Sequence, residues 1–223
     1  MPYDSILDVF KQDGWRFGNC SVIVYDRHRE DIFGRHFLRD LYDGSAAAGI
    51  LGDLFCGMTD LSADAICGYL STRNPLLILA VDRDYADGRA WETAGFAFPT
   101  VMVGGRLVPS VATGEPPRQT EKSILIGYGF LREWWGKPEI TVLAMLMSAY
   151  FFVTQNLVAL HGQSYPWNRL TSKFIRKFGA YESGRIPKFL DTRDGVLVDS
   201  IVSTLMREDF ESYVRKTLLQ IAE

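Results

Sequence analysis

Two stretches, "YGFLREWWGK" (128–137) and "HGQSYPWNRLT" (161–171), hold most of the side chains in this chain that can move a proton or hold an anion. The first carries Tyr128, Arg132, Glu133 and Lys137 around two tryptophans, Trp134 and Trp135; the second carries His161, Ser164, Tyr165, Asn168 and Thr171. A carboxylate or an imidazole is suited to take a proton from an attacking amine, and a phenol to return one. Glu133, His161 and Tyr165 are therefore the catalytic candidates, with Tyr128 and Ser164 beside them. Each has an ordinary alternative: a glutamate at a strand end is usually solvated, a lone histidine hydrogen-bonded structure, a strand tyrosine core or edge. His28, His36 and His161 show no metal-ligand spacing, and no metal site is expected. No GxSxG, P-loop or dinucleotide fingerprint occurs, and "GGRLVPSVATG" follows a strand without the required glycine spacing.

These groups matter only if strands and helices bring them together. Strands are expected at 75–84, at 91–105 with an interruption near Pro99, and at 123–135. A helix follows at 138–155, with Pro138 in its first turn, where a missing N–H is harmless. It is apolar nearly all round, so it should lie on a sheet with a second layer over it. A strand at 156–165 and a helix at 168–178 come next; Leu170, Phe174 and Phe178 mark one face and Gly179 the end. Strands 181–190 and 195–205 bracket the hairpin loop "DTRDG", and a helix at 207–222 buries Phe210, Val214, Leu218 and Ile221.

Upstream, "SILDVFKQ" predicts a short helix and 20–27 a strand; Ile32, Phe33, His36, Phe37 and Leu41 fall near helical spacing. "SAAAGILGDLF" reads as a further helix weakened by its glycines, and 57–74 has no clear pattern. Residues 104–122 are rich in Gly, Pro and polar residues and read as a long loop, a length uncommon unless mobile or functional. The organisation is an α/β protein with a mixed sheet and helices on its faces: a core over 75–223, and a helical elaboration over 1–74 packed on the same domain.

Composition narrows the classes. The 223 residues are 47% hydrophobic and 23% charged with a formal net charge of −3, which suits a globular domain with a sizeable core and no general field for nucleic acid. The odd count of three cysteines, Cys20, Cys56 and Cys67, without a CxxC, reads as reduced thiols. The N-terminus lacks the pattern of a signal peptide. The most apolar run, "ITVLAMLMSAYFFV", is shorter than the ~20 residues of a membrane span. The expected location is cytoplasmic.

This element order and these residues resemble the GNAT acyltransferase superfamily, nearest the branch that acetylates protein N-termini and ribosomal proteins. In that family an Asn follows the fifth core strand, a small hydroxyl or alanine comes three residues later, and Gly-aromatic closes the next helix. Asn168, Thr171 and Gly179 stand at those places, with Ala180 instead of the aromatic and Tyr181 one residue late. Gly184, Gly195, Asp199 and "REDF" (207–210) follow in that branch's order. Asn168 and Gly179 also read simply as the caps of one helix. The resemblance covers roughly 75–215.

The resemblance implies acetyl-CoA as cofactor, held by Arg132, Trp135, Gly136 and Lys137 before one helix and by Asn168 and Thr171 at the next. In the family the first of these loops reads Gln/Arg-x-x-Gly-x-Gly/Ala, and its backbone N–H groups bind the CoA pyrophosphate with help from the helix dipole. Here Pro138 and Ile140 replace the small residues, and Glu139 adds a negative charge. Proline has no N–H to give. Two lost charge-assisted hydrogen bonds would weaken binding ~100-fold or more. The family's leaving-group tyrosine is Ile175 here.

Two functions follow. One is transfer of an acetyl group from acetyl-CoA to an amine on a protein or small molecule, with the 104–122 loop shaping the acceptor pocket. The other is a GNAT-like fold without transfer, such as a tailed-phage structural or host-interaction protein. Its partner surface would be Trp134, Trp135 and the basic face of Lys173, Arg176, Lys177, Arg185 and Lys188. A carrier such as aminoacyl-tRNA is compatible with a weak CoA loop, though no residue selects it.

Overall fold

The computed structural model describes residues 6–25, 35–47, 60–73, 75–82, 91–103, 106–109, 123–191 and 195–222. His28, Ile32, Phe33, Cys56 and most of the 104–122 loop lie outside the described residues. His36 and Phe37 lie on a described helix, but their side chains do not belong to the described part.

The strands are β1 (Arg16–Phe17), β2 (Cys20–Val24), β3 (Leu77–Asp82), β4 (Trp91–Val103), β5 (Arg106–Pro109), β6 (Ser123–Phe130), β7 (Ala159–Ser164), β8 (Tyr181–Asp191) and β9 (Leu197–Met206). The helices are α1 (Asp8–Gln12), α2 (Arg35–Ala47), α3 (Ala63–Ser71), α4 (Pro138–Thr154), α5 (Arg169–Arg176) and α6 (Arg207–Ala222). A 3₁₀ turn, Arg132–Trp134, lies between β6 and α4. Among the described residues the nine strands form one mixed sheet in the order β1-β2-β3-β4-β6-β7-β9-β8, with β5 paired to the far end of β4. Every pairing is antiparallel except β6 with β7. That parallel pair needs a crossover, which α4 supplies.

The apolar composition of α4 is explained by its place. Ten of its residues, from Ile140 to Phe152, are buried. The helix lies against β1, β2, β3 and β7 and is covered by α1. Every residue of β3 is buried, as its unbroken apolar run predicts. The second face is closed by α2 with Leu38 and Leu41, α3 with Ile66 and Leu70, and the ring of Phe98. On α6, Phe210 and Val214 are fully buried.

Three expectations change. The strand at 91–103 is not interrupted at Pro99. That residue pairs with Ile126 on β6 and falls between the last β3 contact, at Ala97, and the first β5 contact, at Thr100. On the second side no described ladder is present for the missing N–H to break. The 104–122 segment is not wholly loop, since Arg106–Pro109 returns along β4 in register from Val103↔Arg106 to Thr100↔Pro109. Within 57–74, α3 is capped by Ser62, whose hydroxyl accepts from the Ala65 N–H at 3.3 Å.

Candidate active site

The site is set by a parting of strands. β6 and β7 pair over only three residues each, Ser123–Leu125 with Ala159–His161. Beyond them β6 continues on β4, from Leu125↔Thr100 to Phe130↔Gly95, while β7 continues on β9 to Ser164↔Ile201. The two strands keep their outer partners and lose each other, so Ile126–Phe130 and Gly162–Ser164 present backbone edges that are not paired across the gap. The opening lies at the carboxyl ends of parallel strands, where open α/β sheets bind ligands. The α4 and α5 N-termini follow those same strand ends.

A cleft fills this splay. Its walls come from Tyr128 and Ile126 on β6, His161 and Gly162 on β7, Ser148 and Met147 on α4, Phe174 and Ile175 on α5, and Ser203 on β9. The void is about 50 Å³, room for about three or four waters. No wall residue carries a formal charge apart from what His161 can acquire.

Of the catalytic candidates, only His161 lines the cleft, and Tyr128 faces it from the other strand. His161 is half-buried, and its Nδ1 lies 2.9 Å from Thr204 Oγ1 on β9. Burial lowers its pKa below the ordinary imidazole value, so the ring is neutral at pH 7. Burial raises the Tyr128 phenol well above its ordinary value, so this group stays protonated. Glu133 is exposed on the 3₁₀ turn, and Tyr165 stacks on Trp167 at 4.8 Å; neither is in the cleft wall. Sequence reading missed Thr204 and Ser183, whose hydroxyls are 2.7 Å apart beside His161. Only the cross-strand registers His161↔Thr204 and Tyr181↔Thr204 reveal them.

The loop before α4 is built as a turn. Gly136 has φ +83°, a conformation that favours glycine, and this accounts for its identity. The Trp135 N–H bonds to Arg132 O at 3.1 Å, the Lys137 N–H to Trp134 O at 3.1 Å and the Ile140 N–H to Lys137 O at 3.3 Å. Pro138 has none to give. The donors that would cradle a pyrophosphate are thus mostly spent on the loop itself, and Glu139 adds a negative charge to the first turn of α4. Ile140 does not stand in the path of an anion as its sequence position suggests: it is 7% exposed and belongs to the core. Trp134 is core too, at 2% exposure, with the Lys137 ammonium over its ring at 4.1 Å; it does not belong to an outward partner face. Trp135 and Trp167 are the exposed pair, and Trp135 Nε1 donates to Phe130 O at 3.0 Å.

At α5, Asn168 Oδ1 accepts from the Thr171 N–H at 3.1 Å, a helix N-cap. Leu170 is 69% exposed, so the apolar face predicted for this helix is buried only toward Phe178. Gly179 has φ +96°, and a Cβ there would meet Asp209 Cβ at 3.0 Å, so both backbone and space call for glycine. Lys173, Arg176, Lys177, Arg185 and Lys188 are exposed, with Arg185 paired to Glu182 at 3.0 Å. Asp199 accepts from the Lys188 N–H at 3.1 Å and steadies an irregularity in β8, where Lys188 has φ +47°. Among the described residues no cluster of His, Cys, Asp and Glu has the makings of a metal site. No described helix is long and apolar enough to cross a membrane.

A mixed sheet opened at one parallel pair, with a crossover helix behind the gap, defines the GNAT acetyltransferase fold. Solved structures of that class superimpose on nearly the whole chain. A GNAT-family acetyltransferase from Bacillus anthracis is 10% identical with a TM-score of 0.59, over 86% of this chain and 98% of its own. Ribosomal-protein-S5-alanine acetyltransferase from Vibrio fischeri is 13% identical with a TM-score of 0.61, over 87% and 97%. Mycobacterium smegmatis RimJ, solved with CoA-disulfide, is 14% identical with a TM-score of 0.60, over 89% and 88%. No protein-family model and no curated protein matches the sequence.

The fit to acetyl-CoA divides along the molecule. Where β6 and β7 cease to pair with each other, an extended arm bearing amides would have backbone on both sides to hydrogen-bond to, as an inserted strand would. The α4 N-terminus does not suit the pyrophosphate, for the reasons of donor count and charge given above.

Proposed function

We propose that the protein is an N-acyltransferase whose reaction occurs in the β6–β7 cleft with His161 as general base. The observation that carries this reading is the His161 imidazole in the wall of an uncharged cleft at the point where β6 and β7 part. An acyl thioester would lie along those edges. The amine nitrogen attacks the thioester carbonyl carbon, the C–N bond forms, the C–S bond breaks, and amide and thiol are released. His161 Nε2 takes the proton the amine must lose. Tyr128, held protonated, faces the same cleft as a hydrogen-bond donor for the negative charge that develops on oxygen or sulfur. Glu133 and Tyr165 stand outside the wall and are assigned no step.

The nucleotide end of the donor contributes little in this reading, because the loop before α4 offers few free donors. Arg132 and Lys137 are exposed there and supply what attraction a phosphate finds. The acceptor is an amine that reaches an uncharged pocket; N-terminal amines of proteins are the class to try first, by likeness to the ribosomal-protein enzyme.

The test is thiol release from acetyl-CoA and from acetyl-pantetheine, which lacks the nucleotide, with a panel of N-terminal peptides as acceptors. The expected result is peptide-dependent release at comparable kcat/KM for the two donors, lost at least 100-fold in His161→Gln. No release from either donor by the wild type, with the protein folded, would remove the enzyme reading and favour a binding protein that uses Trp135, Trp167 and the basic face.

A further inference from the structure

We infer that the hydroxyls of Thr204 and Ser183 are positioning groups that hold His161 in its Nδ1–H tautomer and leave the Nε2 lone pair for the cleft. The purpose of this device rests on the acyl-transfer reading above; the tautomer itself does not.

The direction of three successive hydrogen bonds follows from their last member. Ser183 Oγ lies 3.3 Å from the Val202 carbonyl oxygen. A carbonyl only accepts, so the single Ser183 proton is donated there. Thr204 Oγ1 lies 2.7 Å from Ser183 Oγ, and with that proton committed Ser183 accepts while Thr204 donates. Thr204 then has no proton for His161, so at 2.9 Å its oxygen accepts and His161 Nδ1 is the donor. A neutral imidazole has one N–H, so Nε2 is left as an acceptor. In water a neutral imidazole side chain favours the opposite tautomer, with the proton on Nε2. The relay therefore reverses the default, and the reversed form is the one that can take a proton from an amine.

The backbone is shaped for this chain. His161 and Thr204 are direct cross-strand partners, which puts their side chains on one face of the sheet. Glu182 pairs with Ser203 and Gly184 with Val202, so Ser183 is an extra residue, a β-bulge without a partner on β9. Bulges re-aim side chains beside functional sites. Here the bulge lets one hydroxyl reach both Thr204 Oγ1 and the Val202 carbonyl. Thr204 is 4% exposed, which shields its hydroxyl from competing water. No residue of the cleft wall carries a carboxylate that could compete for the imidazole N–H: Tyr128 on β6, Ser148 on α4 and Ser203 on β9 are neutral.

The tautomer is read directly from two-bond 1H–15N correlations of the imidazole rings in the uniformly 15N-labelled full chain, with His161 assigned by the signal lost in His161→Gln. The expected wild-type pattern is a protonated Nδ1 and an unprotonated Nε2 at neutral pH. Thr204→Val should shift the ring toward the Nε2–H form, Thr204→Ser should retain the wild-type pattern, and Ser183→Ala should give a mixture, because the Thr204 hydroxyl is then free to turn. Should Thr204→Val fail to fold by circular dichroism, Ser183→Ala on the exposed edge strand decides alone. A wild-type ring in the Nε2–H form overturns the inference, as does an unchanged pattern in Thr204→Val or in a decisive Ser183→Ala. Thiol release, measured separately, reports on the acyl-transfer reading: an inactive protein with the Nδ1–H tautomer keeps this inference and loses that one.

Discussion

At His161, location and titration are linked. Burial lowers its folded pKa below the unfolded value of about 6.5. As pH falls, the unfolded chain therefore takes the proton first. The stability that comes from keeping this ring neutral is complete above the unfolded pKa and is lost as pH falls through the folded one. Urea midpoints of the wild type and His161→Gln at pH 7.5 and pH 5 isolate this contribution, since the other histidines are common to both. The stability of the wild type relative to the variant should fall on going to pH 5; a constant difference would contradict the assigned burial. The sequence offered His161 only as one of three candidates, because a strand histidine looks the same whether it faces a cleft, the core or water. The thiols are legible in the same limited way. Cys20 is buried, with its pKa pushed up to about 12 by burial and by Glu139, so it is a packing residue and a poor nucleophile.

At the scale of an element, α4 decides how a phosphate would be received. Pro138 begins the helix at an exposed position, whereas Ile140 is part of the core. The two residues, both adverse by sequence, should therefore separate on mutation. Pro138→Gly restores one N–H and is expected to strengthen acetyl-CoA binding by about 10-fold, the worth of one charge-assisted hydrogen bond. Ile140→Ala should give no such gain and should destabilise the protein by about 2–5 kcal/mol, the ordinary result of emptying a buried site. Calorimetric titration with thermal melts of each variant checks both; a gain in affinity from Ile140→Ala would mean that its side chain does face the anion. The helix itself was plain in the sequence, from its N1 proline and its all-round apolar surface. β5 was not, although Gly104-Gly105 between "TVMV" and "RLVP" is the dipeptide type of a two-residue hairpin. The polar, proline-rich run that follows drowned that signal.

At the scale of the molecule, β1 and β2, from the first 74 residues, belong to the same sheet as the strands that follow. β2 pairs with β3 over five residues, Arg16 Nη2 lies 3.2 Å from Asp82 Oδ2, and Leu7 and Phe10 are buried against the core. β1 and β2 extend the sheet, and α1 covers α4. We expect a fragment of residues 75–223 not to fold alone, because β3 would become an apolar open edge and α4 would lose its outer layer. Expression of that fragment should give aggregated protein or a non-cooperative melt; a monomer with a sharp transition would show that the N-terminal part is dispensable.

Local sequence determined what local physics determines. The alternation and apolar runs of β3, β6, β7 and β9, the caps at Asn168 and Gly179, and the fully apolar α4 all follow from propensity, periodicity and burial of neighbouring residues. Their order was enough to bring the GNAT fold into view. Which side chains face the parting of β6 and β7 was decided only in three dimensions. The register of β9 against both β7 and β8 brings Thr204 to His161 and leaves Ser183 on a bulge, across 43 and 21 residues of chain. No single segment encodes that register, because pairing depends on which distant strand is adjacent and on where the extra residue falls.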